Sequence, residues 1–429
     1  MLLDAGFAVD LFDVLPTPYG LVRAGVAPDH PKIKTVTRVF DKTAAREGFR
    51  FLGGVELGRD ISRDDLLARY DVVLYSMGTS RDQRLGIPGE DLLGSHAATE
   101  FVAWYNGHPH HATRDYDLNC DRAIVVGNGN VAIDVARMLV LDPGELAITD
   151  TADHAITGFG AAGVREAVLL GRRGPAQAAF TNPELRELGE LARADVIVDP
   201  ADMELDAASA AWLESDEADM TSRKNVEILR DYAGREPRGL SHRVALRFLR
   251  SPLEILGDGR VEAIRVGINR IQADVDGKLR AVATGAEETI DCGLVIRSIG
   301  YTGAPIAGIP FDDRRGLIRN DGGRVIDDDG AVCAGEYVAG WIKRGPSGVI
   351  GTNKKDAADT VAKLVEDRNA GLLNQPSAEL TADWPHDQVV DWQGWQRIDA
   401  HEVGLGEPQG RPRVKVVDLG ALHDVGRPQ

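Results

Sequence analysis

Residues 122–137 read RAIVVGNGNVAIDVAR, and no other segment of the chain limits its fold so tightly. A short apolar run leads into Gly127, Asn128 and Gly129. An amphipathic stretch then opens with Asn130, Val131 and Ala132. This is the order of a strand, a glycine turn and a helix. The first glycine permits the turn and the second lets a phosphate approach the backbone. Alanine at the third site lets the helix pack close to the strand. Free N–H groups at the helix start then suit a pyrophosphate. An accidental glycine turn would not carry both flanks. The next strand, REAVLLGRRG at 165–174, ends in Arg172 and Arg173. An NAD site places a carboxylate there, whereas a 2′-phosphate is met by arginine, whose fork of donors reaches two oxygens. The pair reads as NADP selection or, more plainly, as two solvated charges.

A second nucleotide unit shows at the chain's opening. MLLDAGFAVDLFD reads as the tail of a helix and then a strand closed by Asp13, the position of a ribose-binding carboxylate. The glycine turn that belongs about 20 residues upstream of such an acid is not in residues 1–13, so the chain is expected to start inside its first unit. The stretch 15–34, LPTPYGLVRAGVAPDHPKIK, holds four prolines, which exclude a long regular element; such a segment beside a strand end is usually a ligand loop. Helical pattern resumes at 35–47, FRFLGGVEL gives a strand, Ser62 caps a helix, and 70–79 is a buried strand ending in small residues. IPGE at 87–90 marks a domain exit.

Further on, 141–164 is expected to be an insertion. A helix is expected over 181–191, capped by Asn182 with Pro183 at its first position, and strands over 244–256 and 260–270. The segment 331–367 reads as a strand, a glycine-rich loop and a helix whose apolar face is Ala357, Ala358, Val361 and Leu364. The two tryptophans of WQGWQRIDAHEV imply packing on the body. The fold class that follows is α/β, with two Rossmann-like dinucleotide-binding domains in the glutathione-reductase manner, the first incomplete at its start. The expected division is 1–96 and 306–429 for one domain and 97–305 for the inserted one.

The chain carries 49 Lys+Arg against 67 Asp+Glu, a net charge of −18, which argues against nucleic acid as a partner. Its three cysteines form no CxxC, so no dithiol, iron–sulfur or structural zinc site is signalled. A reducing, cytoplasmic setting is expected, with no signal peptide and no membrane span.

Several residues stand out for chemistry. His30, between Asp29 and Pro31, reads as a group that orients a ring or relays a proton, or as loop scaffold. Glu184 sits in a first helical turn, where a carboxylate steadies the helix dipole or bonds the nicotinamide side of a nucleotide; Glu187 is a weaker candidate. Trp341 and the run Gly348, Val349, Ile350, Gly351 suit a flat ring and a second pyrophosphate. Arg235, Arg238, Arg243, Arg247 and Arg250 crowd into sixteen positions of an acidic chain. They read as a dock for a small acidic partner or as a solvated strand edge.

Five long segments, LPTPYGLVRAGVAPDHPKIK, GNGNVAIDVARML, GRRGPAQAAFTNPELREL, REPRGLSHRVALRFLRSP and GWIKRGPSGVIGTNKKDA, in that order, closely resemble the adrenodoxin-reductase-type ferredoxin-NADP+ reductases, and the actinobacterial members most. The resemblance continues through GEPQGRPRVK at 406–415. It implies an FAD domain built from both chain ends, an inserted NADP domain, hydride transfer from NADPH to flavin, and single electrons passed to an acidic ferredoxin near the arginine cluster. It implies Asp13 on the flavin adenosine ribose and Leu21 and Val55 lining FAD. Trp341 and Gly348, Val349 and Ile350 fall at the flavin ring, with Gly348 also beside NADP. His30 and Glu184 fall at the junction of the two rings. The family opens with a strand and a GxGPxG/A-type turn that residues 1–13 lack. Two other readings follow: a truncated flavoprotein remnant that binds NADP with little activity, and a glutamate-synthase-like NADPH oxidoreductase subunit, which fits less well without cysteine clusters.

Overall fold

The computed structural model describes residues 1–348, 350–378 and 389–428. Its largest sheet has six strands, all parallel, in the order Ser95–Ala97, Leu294–Arg297, Arg122–Val126, Glu166–Leu170, His242–Arg247 and Ala194–Val198. A parallel sheet must be covered on both faces, and side chains alternate between them. Ala123, Val125, Ala167 and Leu169 face a helical layer in which Ala132, Ile133, Val135, Ala136 and Met138 of the helix Asn130–Val140 are fully buried. Ile124, Val126, Val168 and Leu170 face the other way, onto Ile255, Ile264, Val266 and Ile290. Those four belong to a three-stranded antiparallel sheet, Arg250–Leu256, Ala263–Ala273 and Leu279–Asp291.

The two chain ends build the other half. Val73–Tyr75 pairs in parallel with Val332–Val338, which continues into the antiparallel strands Arg324–Ile326 and Asn320–Asp321. Val9–Asp13 pairs in parallel with Phe49–Gly53 as a separate two-stranded ladder. Among the described residues no ladder joins the two pieces, and Leu11, on the outer edge of its strand, is 41% exposed. Side chains tie Val9–Asp13 down instead: Tyr70 donates to Asp10 at 2.5 Å, Arg50 bonds the same carboxylate, and Phe12 meets Tyr70 edge to face. The halves join where Arg81–Asp82 pairs with Tyr301–Thr302. The C-terminal helices Trp392–Gly406 and Leu419–Gly426 bury Trp395 and Ile398 against Phe51, as the two tryptophans implied.

Three local expectations need correction. The helix at 181–191 spans Asn182–Leu188, and Thr181, with extended backbone, holds the N-cap position without a side-chain cap bond; Asn182 is already helical, and its amide donates to Thr221 O and Asn225 Oδ1. The run 244–256 is two strands in two sheets; the chain turns between them at Leu249, whose φ is 57°. The segment 141–164, between the helix Asn130–Val140 and the next strand, is filled by two short helices, Pro143–Leu146 and Asp153–Gly160, and the insertion expected there needs no correction. On the helix Ile350–Asn369, Leu364 is buried but Ala358 is exposed. The inward face there is partly polar. Asp356 accepts from Gly340 N, Thr360 donates to Val338 O, and Asp367 pairs with Arg324. The Ser62 cap is present, as a full capping box with Asp65.

Candidate functional site

At Gly127 the strand Arg122–Val126 turns with φ 149°, and a Cβ there would overlap the carbonyl oxygen of Ser298. Gly129 opens the helix Asn130–Val140, and a Cβ on it would meet nothing within 4 Å. The turn is therefore closed on the sheet side and open on the cleft side, the shape a phosphate needs. Its neighbours are fixed by backbone bonds: Asn128 O accepts from Ala179 N at 2.9 Å, and Asn130 Oδ1 accepts from Thr181 N at 2.8 Å. Those bonds set the helix Asn182–Leu188, with Glu184, beside the glycine turn. Val131 packs partly buried on the helical core. Arg172 and Arg173 follow Gly171 on the adjacent strand end, and both are exposed. Among the described residues neither guanidinium has an acidic partner, unlike most arginines of this chain. Although the surface of Arg173 is open to solvent, partial desolvation by the surrounding protein, and then the charge of Arg172, push it below its usual value.

The loop 15–34 crosses from the other half onto this cleft. His30 Nε2 is 2.7 Å from Glu187 Oε2. Asp29 takes a charged hydrogen bond from Arg137, which also donates to Asp134 at 2.8 Å and stands 3.9 Å from Glu187. Burial pushes the carboxyls of Glu184 and Asp134 upward. Buried polar atoms without a partner converge here: Glu184 Oε2, Asp29 Oδ1, Arg137 Nε, Asn128 Nδ2 and the Tyr105 hydroxyl. An unsatisfied buried polar group costs about 1–3 kcal/mol, so a cluster of them marks a place built for a guest or for water.

On the far wall Gly340, with φ 77° and open space where a Cβ would stand, begins the turn Trp341–Arg344. Trp341 stacks on Tyr301, with ring centroids 6.0 Å apart and a 20° tilt, and its Nε1 is buried without a partner. Tyr301 lies three residues after Ser298, so the stack and the Gly127 turn share one short segment. Gly348 has φ 80° and is exposed. Ile350 begins the helix Ile350–Asn369, and Val349 lies outside the described residues. Asp13 ends its strand, accepts from Leu15 N at 2.9 Å, and is pushed up to about 6 by burial. Val55 is buried and donates its N–H to Asp13 O; Leu21 is 56% exposed on the turn Leu21–Ala24.

Of the residues named from the sequence, the structure brings His30 onto the helix that carries Glu184 and sets that helix beside the Gly127–Gly129 turn, while Asp13 and Val55 bond each other elsewhere. There are two shifts of emphasis. Glu187, the weaker candidate, is the carboxylate that holds His30. Arg137, Asp134, Tyr105 and Tyr301 were missed, although Asp134 and Arg137 stand one turn apart on the helix after the glycines, where polar residues on a buried face are a signal. The arginine cluster does not meet the cleft as a bare patch. Arg235 pairs with Asp231, Arg238 with Asp195, Arg243 with Glu166, Arg247 with Glu288, and Arg250 with Asp202 and Glu288.

No family model matches the chain. Individual proteins do. It is 48% identical over 437 residues to the NADPH-ferredoxin reductase FprA of Mycobacterium tuberculosis, covering 99% of this chain and 93% of that one. The chain belongs to the NADPH-ferredoxin reductase family. The mitochondrial NADPH:adrenodoxin oxidoreductase of Salvelinus fontinalis is 39% identical over 438 residues, covering 98% of this chain and 86% of the relative. A solved structure of Mycobacterium tuberculosis FprA in complex with NADPH superimposes with a TM-score of 0.92 at 46% identity, covering 99% of this chain and 95% of that one. Membership of the reductase family accords with the parallel six-stranded sheet, the glycine turn and the second half built from both chain ends. Among the described residues no helix is long and apolar enough to cross a membrane, and no group of His, Cys, Asp and Glu has the arrangement of a metal site.

Proposed function

We propose that this chain works as an NADPH-ferredoxin reductase with FAD and NADP as cofactors. The observation that carries the reading is a relative of that activity matched along 99% of the chain at 48% identity. The cleft fits both groups: the open side of the Gly127–Gly129 turn suits a pyrophosphate, and the unpartnered Trp341 Nε1 and the open space at Gly340 suit a flat ring. FAD, when bound, supplies a ring that takes hydride from NADPH and gives electrons up singly.

The chain's own residues do the rest. Gly127, Asn128, Gly129, Asn130 and Val131 hold the NADP pyrophosphate at the helix start, and Arg172 and Arg173 take its 2′-phosphate. Asp13 holds the FAD ribose, Leu21 and Val55 line that site, and Trp341 with Gly348, Val349 and Ile350 borders the flavin ring. His30, held by Glu187, and Glu184 orient the nicotinamide. Hydride transfer needs a close, fixed approach more than it needs acid–base help. Residues 1–96 and 306–429 form the FAD half and 97–305 the NADP half.

A ferredoxin takes the electrons. Its docking near Arg235, Arg238, Arg243 and Arg247 is supported by three half-exposed guanidiniums, weakened by the carboxylate each one faces. Arg243 also stands near the amino end of its strand, roughly 13 Å along the sheet from the carboxyl end. The cluster therefore serves to steer an acidic partner rather than to seat it at the flavin. The setting is the cytoplasm, in keeping with three free cysteines.

The test is to offer FAD to the purified chain and follow NADPH-driven cytochrome c reduction with and without added ferredoxin. Flavin uptake and ferredoxin-dependent turnover support the reading. NADP binding with no flavin uptake at excess FAD overturns it in favour of the NADP-binding remnant.

A further inference from the structure

We propose that Arg137 is a positioning residue for hydride transfer: it fixes the loop that carries His30 against the helix that begins at the NADP glycine turn. The inference rests on the reductase reading above.

Arg137 lies two turns after Gly129 on the helix Asn130–Val140, and only 4% of it is exposed. Its guanidinium takes hold of His30 from two directions. It bonds Asp29, the residue before His30, and it stands 3.9 Å from Glu187, whose carboxylate holds the His30 ring. Its remaining bond, 2.8 Å to Asp134 one turn back, fixes the fork itself. Asp29 and His30 come from the FAD half; Arg137, Asp134 and Glu187 come from the NADP half. One buried cation thus gathers three carboxylates from both halves at the ring junction. A planar fork with donors in fixed directions suits this, and a lysine ammonium does not.

Two features separate this role from a plain structural tie. Arg137 Nε and Asp29 Oδ1 are both buried and unpartnered, so the pair keeps hydrogen-bonding capacity beyond the bonds it already makes. The cation also stands on the helix whose first turn meets the pyrophosphate. Seating the nucleotide and placing His30 are therefore done by one rigid element.

The experiment compares Arg137→Lys, Arg137→Met and Asp29→Asn with the FAD-loaded chain. Calorimetry gives the affinity for NADP+ and for 2′,5′-ADP, which keeps the 2′-phosphate and the adenosine-side 5′-phosphate but lacks the whole nicotinamide nucleotide. Rapid mixing with NADPH gives the limiting rate of flavin reduction. For Arg137→Met and Asp29→Asn the limiting rate is expected to fall by about ten- to a hundredfold, the penalty of a misplaced reactant. The 2′,5′-ADP affinity should stay within about twofold, because the first turn and the arginine pair are untouched. Arg137→Lys should recover part of the rate, since charge returns without the fork. Asp29→Asn keeps the Arg137–Asp134 pair, so it decides the matter if Arg137→Met does not fold. Parallel losses of NADP+ and 2′,5′-ADP affinity with an unchanged limiting rate would overturn the proposal, as would an Asp29→Asn protein equal to the parent. A parent chain that NADPH fails to reduce would overturn the reductase reading instead. The ratio of NADP+ to 2′,5′-ADP affinity would then still decide the part played by Arg137.

Discussion

Asp150 carries two lysines, Lys415 buried and Lys34 partly so. Lys34 donates to its two oxygens at 2.7 and 2.8 Å, and Lys415 reaches it at 3.1 Å. The three come from three distant parts of the chain: the 15–34 loop, the 141–164 segment and the stretch between the last two helices. Burial pushes the Lys415 ammonium down to about 7, and Lys34 adds to the effect. Burial alone would raise Asp150, but Lys415 and Lys34 outweigh it and hold the carboxyl at about 2. Asp150→Asn leaves two ammoniums face to face, and should cost about 3–5 kcal/mol. Lys415→Met leaves the Asp150–Lys34 pair balanced. It loses the bonds to Arg23 O, Asn106 Oδ1 and Asp150 but sheds a desolvated charge, so its net cost should be about 1 kcal/mol or less. With an unfolding entropy of roughly 0.9 kcal/mol per kelvin for a chain this long, calorimetry should show midpoints lowered by about 4 °C and about 1 °C. The pH dependence has a definite sign. Between about pH 7 and 10.5 the unfolded chain keeps a proton that folded Lys415 releases, so stability rises with pH across that window. Lys415→Met should flatten that rise. A Lys415→Met protein as unstable as Asp150→Asn, or one with the same alkaline slope as the parent, would refute the reasoning.

Three further outcomes are expected. Replacing both Arg172 and Arg173 by alanine should weaken NADPH binding by about ten- to a hundredfold and leave NADH unchanged, as measured by equilibrium titration; equal losses for both nucleotides would count against 2′-phosphate recognition. Asp13, raised to about 6 in the folded chain, binds its proton more tightly there than when unfolded, so the cofactor-free protein should lose stability as pH rises from about 4 to about 6. Urea unfolding of Asp13→Asn should lack that fall, and an unchanged profile would remove Asp13 from the account. Gly127→Ala should cost about 1–3 kcal/mol from its backbone conformation, add a clash at Ser298 O, and abolish 2′,5′-ADP binding by calorimetry.

Much of the architecture could be read from residues whose type is dictated locally. Gly127 and Gly129 announce a turn because no side chain fits one and a phosphate must approach the other. Arg172 and Arg173 stand out because a strand end in a dinucleotide unit has a known duty. Ser62 and Asp65 form a cap within four residues. What stayed hidden depends on contacts between distant segments. Glu184 and Glu187 are equivalent in sequence, and only the approach of His30, more than 150 residues earlier, singles out Glu187. Arg137 reads as an ordinary helical residue until Asp29 arrives from the other half. The arginines of 235–250 look like a patch because their carboxylates, from Glu166 to Glu288, are scattered through the sequence. The break at Leu249 is invisible because both strands it separates are apolar and the turn uses a leucine at positive φ. Likewise Thr360 and Asp367 look like the solvent face of a helix, yet they are buried because Val338 and Arg324 give them partners.

The central claim is that the cleft between the halves holds two rings close enough for direct hydride transfer, with ferredoxin as the outlet. The measurement that bears on it most directly is anaerobic mixing of the FAD-loaded chain with NADPH carrying deuterium at the transferred position, followed by addition of ferredoxin. The account predicts rapid loss of flavin colour, slowed by the deuterium, with colour restored once ferredoxin is added. Persistent flavin colour at saturating NADPH, with the nucleotide demonstrably bound, would contradict it.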